Sequence, residues 1–169
     1  MCYICEYLSP IGSLYMSSNG SSLTHLRFKT IDDPHFCSAE PNPDLNVFKK
    51  TKTWLDDYFS GNVPDFTPPL CLNGTAFQLQ VWNILLSIPY GHTVSYGDIA
   101  KQLASRRNIP RMSSQAVGNA VGKNPIPIII PCHRVIGSDG SLTGYAGGLE
   151  KKSFLLSLEQ TSTQNSAGL

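Results

Sequence analysis

The sequence predicts an α+β protein of two domains: a small N-terminal α/β domain, with an antiparallel sheet and one helix, and a mainly helical C-terminal domain. Three observations favour this fold class. Turn signals divide the first 30 residues into strands, prolines interrupt the chain at residues 64–74, and helix-capping signals follow. The predicted limits are 1–72 and 73–160 for the two domains, with a flexible polar tail over 161–169.

Composition is compatible with this architecture. The chain has 169 residues, enough for about one domain or two small ones. Hydrophobic residues make up 41%, which can fill a core and excludes a disordered chain. No apolar run approaches the ~18–20 residues of a membrane span. The first cation is Arg27 and the cysteine count of five is odd, so we expect no secretory signal and an intracellular compartment, cytoplasmic in a bacterium or nuclear in a eukaryote.

The N-terminal domain is predicted from turn residues and one helical pattern. Ser9-Pro10-Ile11-Gly12 indicates a turn, and Asn19-Gly20 indicates a hairpin between two apolar segments. A loop is predicted over residues 32–43, which contain three prolines. Asp44 is the expected cap of a helix that runs to about Ser60 and buries Leu45, Phe48, Leu55 and Phe59.

Three helices are predicted next. Thr75–Gln78 and Ser95–Asp98 are capping boxes, in which side chains at both ends satisfy free N–H groups of the first turn. Ser113 or Ser114 caps a third helix, which runs from Gln115 to about Gly122 and has very small side chains. Two short helices joined by a basic loop suggest a helix-turn-helix, and a plain three-helix core is the alternative.

The last third of the chain contains short elements and one helix. Ile126–Ile130 is a buried strand or a tight turn. Val135-Ile136 and Leu142-Thr143 flank Asp139-Gly140, which predicts a hairpin. A final helix is expected from Leu149 to about Gln160.

The formal charge of +1 conceals an asymmetry. Residues 1–75 hold five Lys/Arg and eight Asp/Glu, net −3, whereas residues 76–169 hold eight and four, net +4. No acid lies between Ile99 and Ser138. The cations of this stretch are Lys101, Arg106, Arg107, Arg111, Lys123 and Arg134. A basic face for nucleic acid is one interpretation, and an ordinary solvated surface is the other.

Cys132 is the candidate nucleophile. It follows a rigid apolar segment and precedes His133 and Arg134. The thiolate is the reactive form of cysteine, and we expect the neighbouring cations to lower its pKa. A buried, inert cysteine with His133 pointing elsewhere is the alternative.

Three segments carry a family resemblance: NPIPIIIPCHRV (residues 124–135), GYAGG (144–148) and SYGDIA (95–100). From about Phe77 to Glu159 the chain closely resembles the methylated-DNA–protein-cysteine methyltransferases, the O6-alkylguanine-DNA alkyltransferases. In residues 1–70 the resemblance is limited to Ser9–Gly12 and the following hairpin. It implies a ribonuclease-H-like N-terminal domain and a winged-helix-like C-terminal domain.

The resemblance also implies a mechanism. Cys132 would attack the alkyl carbon on guanine O6 and keep it, so each molecule acts once on O6-alkylguanine, with O4-alkylthymine as an open second substrate. His133 would take the thiol proton through a water, oriented by Glu159. Asn124 would shape the turn that holds the cysteine, and Tyr96 would rotate the nucleotide out of the duplex and protonate the departing guanine.

The implied partner is double-stranded DNA containing O6-alkylguanine, bound by a monomer without a cofactor or a membrane. The residues implied to contact DNA are Gln115, Ser114, Ala116, Gly118, Arg111 and Ser138. Those implied to line the base pocket are Tyr96, Val135, Tyr145 and Ala146. Helix residues Ala116, Val117, Gly118 and Ala120 are expected on the exposed side, where they would fit the minor groove.

Gln115 departs from the family pattern, which has an arginine that enters the base stack at this position. The loop Ser105–Ser113 also exceeds the usual family length and holds three arginines. We therefore expect Gln115 to act as the inserted side chain while Arg111 attracts phosphate. A second departure is Ala146, where some members carry serine, and a contact made by the backbone N–H would survive this change.

No metal site is expected. Cys2-x-x-Cys5 has ligand spacing, with His25, His35 and Cys37 nearby, but a single short pair is weak. Some relatives hold a structural zinc near the N-terminus, and two of those ligand positions fall on Asn19 and Thr24 here.

Two other functions stay open. One is a non-catalytic sensor of DNA lesions, a class that lacks the acceptor cysteine. The other is a Cys-His hydrolase, which would turn over repeatedly.

Overall fold

The computed structural model describes residues 1–28, 36 and 38–167, with side chains through residue 165. The chain forms two compact units, Met1–Asn73 and Gly74–Leu169. The first contains a sheet and one helix, and the second is mainly helical, so the predicted α+β class is confirmed. Within the described residues, no helix combines the length and apolar character needed to cross a membrane.

The first unit contains a four-stranded sheet with the spatial order β3–β2–β1–β4. The strands are β1 (Tyr3–Ser9), β2 (Gly12–Ser18), β3 (Leu23–Arg27) and β4 (Glu40–Pro41). The first three are antiparallel, as predicted, and the short β4 runs parallel to β1. Gly12 closes the first turn at φ 107°, a conformation that only glycine adopts without strain. Part of the predicted loop 32–43 lies outside the described residues.

Helix α1 (Asn46–Phe59) packs on β1 and β2 but begins later than predicted. Its N-cap is Leu45, without a side-chain cap, because Asp44 lies one residue further out and pairs with Lys49 at 3.6 Å. This shift moves the buried stripe, so the predictions for Leu45 and Phe59, both half-buried, were wrong. The buried residues of the helix are Val47, Phe48, Thr51, Trp54, Leu55 and Tyr58.

The second unit is built on helices α2 (Ala76–Leu86), α3 (Tyr96–Arg106) and α4 (Ser114–Gly122). Both predicted capping boxes are present, and Ser113 caps α4 by accepting from the Ala116 N–H at 3.2 Å. The three helices pack against one another, with α3 and α4 forming the helix-turn-helix. The indole of Trp82 donates to the Ala120 carbonyl at 2.9 Å, which fixes α2 to α4.

The segment after α4 contains turns where strands were possible. Ile126–Ile130 is a turn closed by a hydrogen bond from the Ile130 N–H to the Ile126 carbonyl at 2.9 Å. The predicted hairpin is also absent from the described residues: β6 (Val135–Ile136) pairs in parallel with β5 (Val94–Ser95) instead of with residues 142–143. The backbone of β6 therefore pairs with β5, which is distant in sequence, and not with the nearby residues 142–143 that the turn signal suggested.

Helix α5 (Leu149–Ala167) continues beyond the predicted end at Gln160, so the described part of the expected flexible tail is helical. Ser162 and Thr163 lie in this extension and donate to the carbonyls of Leu158 and Glu159, both at 2.8 Å. These bonds satisfy the two hydroxyl groups within the helix, and a pattern of apolar residues does not predict a helix through such polar residues.

Candidate active site and DNA interface

Cys132 lies at the start of a 3₁₀ helix, Cys132–Arg134, held by the turn before it. Asn124 spans this turn: its side-chain amide donates to the Ile130 carbonyl at 2.8 Å, and its oxygen accepts from the Ile126 N–H at 3.0 Å. Ile128 adopts φ 74°, a conformation that is rare for a β-branched residue. The two hydrogen bonds of Asn124 therefore fix a strained turn directly ahead of the cysteine.

A cavity of about 290 Å³ opens over Cys132. Six of the residues singled out from the sequence line it: Tyr96, Gly118, Asn124, Cys132, Tyr145 and Ala146. Val135 is not among the described lining residues, because it is fully buried and pairs with Val94. Three of the four predicted pocket residues, Tyr96, Tyr145 and Ala146, therefore line this cavity, and Val135 does not.

Burial controls the protonation of Cys132. The residue is 6% exposed, and burial raises the pKa of its thiol to about 11. A hydrogen bond from Asn124, the charge of Lys152 and backbone N–H groups act in the opposite direction but are weaker. The expected lowering by neighbouring cations was wrong, because desolvation of a thiolate outweighs them. The resting residue is a thiol and needs a base before it can attack.

A fully buried histidine–glutamate pair adjoins Cys132. Nε2 of His133 lies 2.6 Å from Oε1 of Glu159 on α5, although the two residues are 26 positions apart. Burial lowers the pKa of His133, and Glu159 partly offsets this effect. Burial alone would raise the pKa of Glu159, but hydrogen bonds from His133 and Arg134 outweigh this effect and lower the pKa to about 2. The pair is therefore a neutral imidazole facing a carboxylate.

Arg134 belongs to this buried cluster and not to the basic surface predicted from the sequence. It is 8% exposed and holds both oxygens of Glu159, with Nε 2.9 Å from Oε2 and Nη2 2.9 Å from Oε1. Its Nη1 donates to the Ile88 carbonyl at 2.7 Å. A cation occupied in this way is not available to a phosphate.

Lys152 is a second buried cation, and no sequence signal singled it out. Its ammonium donates to the carbonyls of Val135 at 2.6 Å and Thr143 at 2.8 Å, and to that of Gly144 at 3.4 Å. Burial lowers its pKa, and the nearby Cys132 opposes this effect. Lys152 thus fixes the loop that supplies Tyr145 and Ala146 to the cavity. A Lys-Lys pair on a helix usually indicates solvent, so only the structure could reveal this role.

A groove of about 490 Å³ runs beside the cavity and shares Tyr96, Gly118 and Gly144 with it. Ser114, Gln115 and Ser138, three of the residues expected to contact DNA, also line it. Tyr96 stands at the junction, where its hydroxyl donates to the Thr143 carbonyl at 3.4 Å. Four of the six predicted DNA-contact residues, Ser114, Gln115, Gly118 and Ser138, therefore line one groove that adjoins the cavity over Cys132.

The exposed side of α4 differs from the expected one. Val117 and Ala120 are 0% and 3% exposed and pack inward. Gln115 and Asn119 are exposed, with Ala116 and Gly118 half-buried. The 3.6-residue period puts Val117 and Ala120 on the core face, so the helix presents small and uncharged polar groups outward.

Arg111 lies apart from the main groove. It lines a separate cleft of about 310 Å³ together with Lys101 and Ser114. Ser114 also belongs to the groove, so the cleft continues it at the N-terminal end of α4. Both cations are exposed and can approach a phosphate there.

The candidate zinc ligands are only partly described, because His35 and Cys37 lie outside the described residues. Within the part of the chain that the structure describes, no three His, Cys, Asp or Glu residues form a group that could hold a metal. Cys5 is a buried free thiol.

Family models identify both units. A model described as 6-O-methylguanine DNA methyltransferase, DNA binding domain, matches residues 76–161. A second, described as the ribonuclease-like domain of the same methyltransferase, matches residues 3–72. The chain belongs to the 6-O-methylguanine DNA methyltransferase family. The resemblance on which the sequence analysis relied is thereby confirmed.

Relatives in this methyltransferase family match along most of their length. The methylated-DNA–protein-cysteine methyltransferase of Haemophilus influenzae is 45% identical over 165 residues, covering 94% of this chain and 86% of the relative. A methyltransferase of the same name from Mycobacterium tuberculosis is 46% identical over 154 residues, covering 90% and 89%.

Solved methyltransferase structures show the same fold. The O6-methylguanine methyltransferase of Mycobacterium tuberculosis matches with a TM-score of 0.84 and 44% identity, covering 96% of this chain and 94% of that one. A structure of the protein OGT from the same organism in complex with DNA matches with a TM-score of 0.83 and 42% identity, covering 95% and 94%.

Proposed function

We propose that the protein repairs DNA by transferring the alkyl group of O6-alkylguanine to Cys132, once per molecule. The observation that carries the proposal is the position of Cys132: it faces a cavity, adjoins the buried His133–Glu159 pair, and lies next to a groove on a helix-turn-helix. The cavity is of the size that binds small-molecule groups. A non-catalytic lesion sensor would have no use for this arrangement.

The chemistry begins with the removal of the thiol proton. The neutral imidazole of His133 accepts it through a water and becomes an imidazolium paired with Glu159. The thiolate then attacks the alkyl carbon, a sulfur–carbon bond forms, and the carbon–O6 bond breaks with its electron pair on guanine. Tyr96 protonates the guanine and recovers a proton from the imidazolium of His133. The proton that left Cys132 thus replaces the alkyl group on guanine. The thioether has no route back to a thiol.

Access to the base requires extrusion from the duplex, because O6 is unreachable for this attack inside the stack. Helix α4 would enter the minor groove of double-stranded DNA, with Gln115 in the vacated space and Ala116 against the strands. Ser114, Gly118 and Ser138, which line the groove beside α4, would also contact the strands. Tyr96 would rotate the nucleotide toward the cavity where the groove and the cavity meet.

The proposal also covers the oligomeric state, the cofactor requirement and the cellular location. We propose that the protein acts as a monomer and needs no cofactor, because Cys132 is itself the acceptor. An intracellular location is favoured, because the thiol must stay reduced and the substrate is genomic DNA.

Intact-mass measurement tests the function. The protein is incubated with a duplex oligonucleotide that contains one O6-methylguanine, and the product is digested and mapped. The expected result is one added methyl group on the peptide that contains Cys132, and none in Cys132→Ser. Cys71→Ser is the matched control, because Cys71 is exposed and lies in the other unit. An unmodified wild-type protein, or a methyl group on another residue, would overturn the proposal.

A further inference from the structure

Arg134 makes contacts on three sides of the buried site. Its guanidinium holds both oxygens of Glu159 and the carbonyl of Ile88. The central carbon lies 5.6 Å from the centre of the Tyr90 ring, which covers one face of the guanidinium. The side chain is thus fixed in orientation, and its charge is directed at a single carboxylate.

Glu159 has its acceptor positions filled. Oε1 accepts from His133 at 2.6 Å and from Arg134 at 2.9 Å. Oε2 accepts from Arg134 at 2.9 Å and from the Gly91 N–H at 3.1 Å. The carboxylate is therefore shared between a permanent cation and a histidine that can be neutral or charged.

We propose that Arg134 is a positioning residue of the alkyl transfer, which balances the charge of Glu159 and so keeps His133 an uncharged imidazole until Cys132 gives up its proton. The inference rests on the proposed function, since it concerns the base of that reaction. It goes further by explaining why the base stays unprotonated in the resting protein although a buried carboxylate beside it favours the imidazolium.

The protonation of His133 depends on the charges that surround it. Cys132 and Tyr145 line the adjoining cavity as neutral acids. Tyr90 adjoins the Arg134–Glu159 pair, and Lys152 lies on α5. Burial lowers the pKa of His133 most, Glu159 raises it, and Arg134 and Lys152 lower it. Lys152 cannot substitute for Arg134, because backbone carbonyls hold its ammonium. Without Arg134 the attraction of Glu159 for an imidazolium is therefore poorly compensated.

The consequence for the reaction is a loss of the base at neutral pH. In the wild-type protein the Cys132 S–H bond breaks, and the proton goes to Nδ1 of His133, the ring nitrogen that does not face Glu159. If His133 already carries that proton, it cannot accept another. Raising the pH removes the proton from His133 and restores the base.

Nuclear magnetic resonance of the histidine side chains tests the resting state without DNA. Signals are assigned with His133→Gln, and protonation is followed from pH 5 to 9. We expect a neutral His133 at pH 7 in the wild type and an imidazolium in Arg134→Gln. The double variant Arg134→Gln/Glu159→Gln removes both charges and should return His133 to the neutral form. A neutral His133 in folded Arg134→Gln, or a charged one in the wild type, would overturn the inference.

Kinetics provide a second readout. We expect Arg134→Gln to transfer the methyl group at least about tenfold more slowly at pH 7 and to recover toward pH 9. Arg134→Lys keeps the charge and should keep the wild-type pH midpoint. Lys50→Gln is the control, because Lys50 is an exposed cation of the other unit. A loss of equal size at every pH would show a merely structural role.

The two tests remain separable. If the wild-type protein transfers no methyl group, the proposed function fails, and the resonance measurement still reports on Arg134. If Arg134→Gln does not fold, as judged by circular dichroism, Arg134→Lys decides the question. A protonated His133 at pH 7 in that variant would contradict charge balance as the mechanism.

Discussion

Buried charges determine the chemistry of single residues at this site. The pKa of Glu159 is lowered from 4.5 to about 2, because His133 and Arg134 donate hydrogen bonds to its carboxylate. Burial alone would raise this pKa. As the pH falls, this glutamate therefore becomes protonated at a higher pH in the unfolded chain than in the folded one. The stabilisation is present above pH 4.5 and is lost as the pH falls toward about 2.

We predict that Glu159→Gln weakens the pH dependence of stability. The wild-type free energy of unfolding should lose up to about 3 kcal/mol of this contribution in the acidic range. Urea denaturation between pH 6 and 3 should show a shallower slope in Glu159→Gln. Glu150→Gln, at an exposed position of the same helix, should keep the wild-type slope. Equal slopes in all three proteins would refute the assignment.

Lys152 supports the loop over the cavity through three carbonyls. Lys152→Met leaves these carbonyls without their donor, so we predict a loss of about 3 kcal/mol in the free energy of unfolding. Chemical denaturation measures the loss, with Lys101→Met as the exposed control. An unchanged free energy of unfolding would mean that water or another donor replaces the ammonium at no cost.

At the scale of elements, α4 combines a core face with a small outer face, and Gln115 is the longest of its exposed side chains at the groove, beside Ser114 and Asn119. A wedge is needed only when a base must leave a stack. We therefore predict that Gln115→Ala slows methyl transfer from a duplex about tenfold and leaves a single-stranded substrate within about twofold.

Quenched-flow measurement of the methyl-transfer rate checks this prediction. Gln102→Ala, at an exposed glutamine of α3, is the control and should match the wild type on both substrates. If Gln115→Ala behaves as the wild type on duplex while Arg111→Ala is severely slowed, Gln115 is not the inserted side chain.

Sequence signals predicted these elements well where a residue and its hydrogen-bond partner lie within a few positions of each other in the chain. The capping boxes at Thr75 and Ser95 satisfy their own first turns, so four residues suffice to find them. Val135-Ile136 has its partner about 40 positions earlier in β5, and Arg134 has its partner in α5. Burial and pairing of this kind depend on the folded chain, which is why Arg134 was predicted on the surface and Lys152 was missed.

Over the whole molecule, the formal charge of +1 is the sum of an acidic first part and a basic second part. Removing Arg134 from the basic surface leaves five exposed cations in the stretch from Ile99 to Ser138. They are Lys101, Arg106, Arg107, Arg111 and Lys123. The number of phosphate contacts that these side chains can make sets the salt dependence of DNA binding.

We predict a shallow salt dependence for binding to undamaged duplex DNA. A plot of log affinity against log salt concentration should have a slope no steeper than about −4.5, from about 0.9 per phosphate contact. Fluorescence anisotropy between 50 and 200 mM salt, roughly the range over which such slopes are determined, gives the value. A much steeper slope would show that cations outside this stretch also bind phosphate.

The stoichiometry of repair tests the central claim most directly. A fixed amount of protein is incubated with increasing amounts of duplex O6-methylguanine oligonucleotide, and the guanine formed is counted after the reaction stops. The account predicts a plateau at one guanine per protein molecule, with every Cys132 methylated. Guanine that keeps accumulating beyond one equivalent, with Cys132 unmodified, would contradict transfer to the cysteine and indicate a hydrolase.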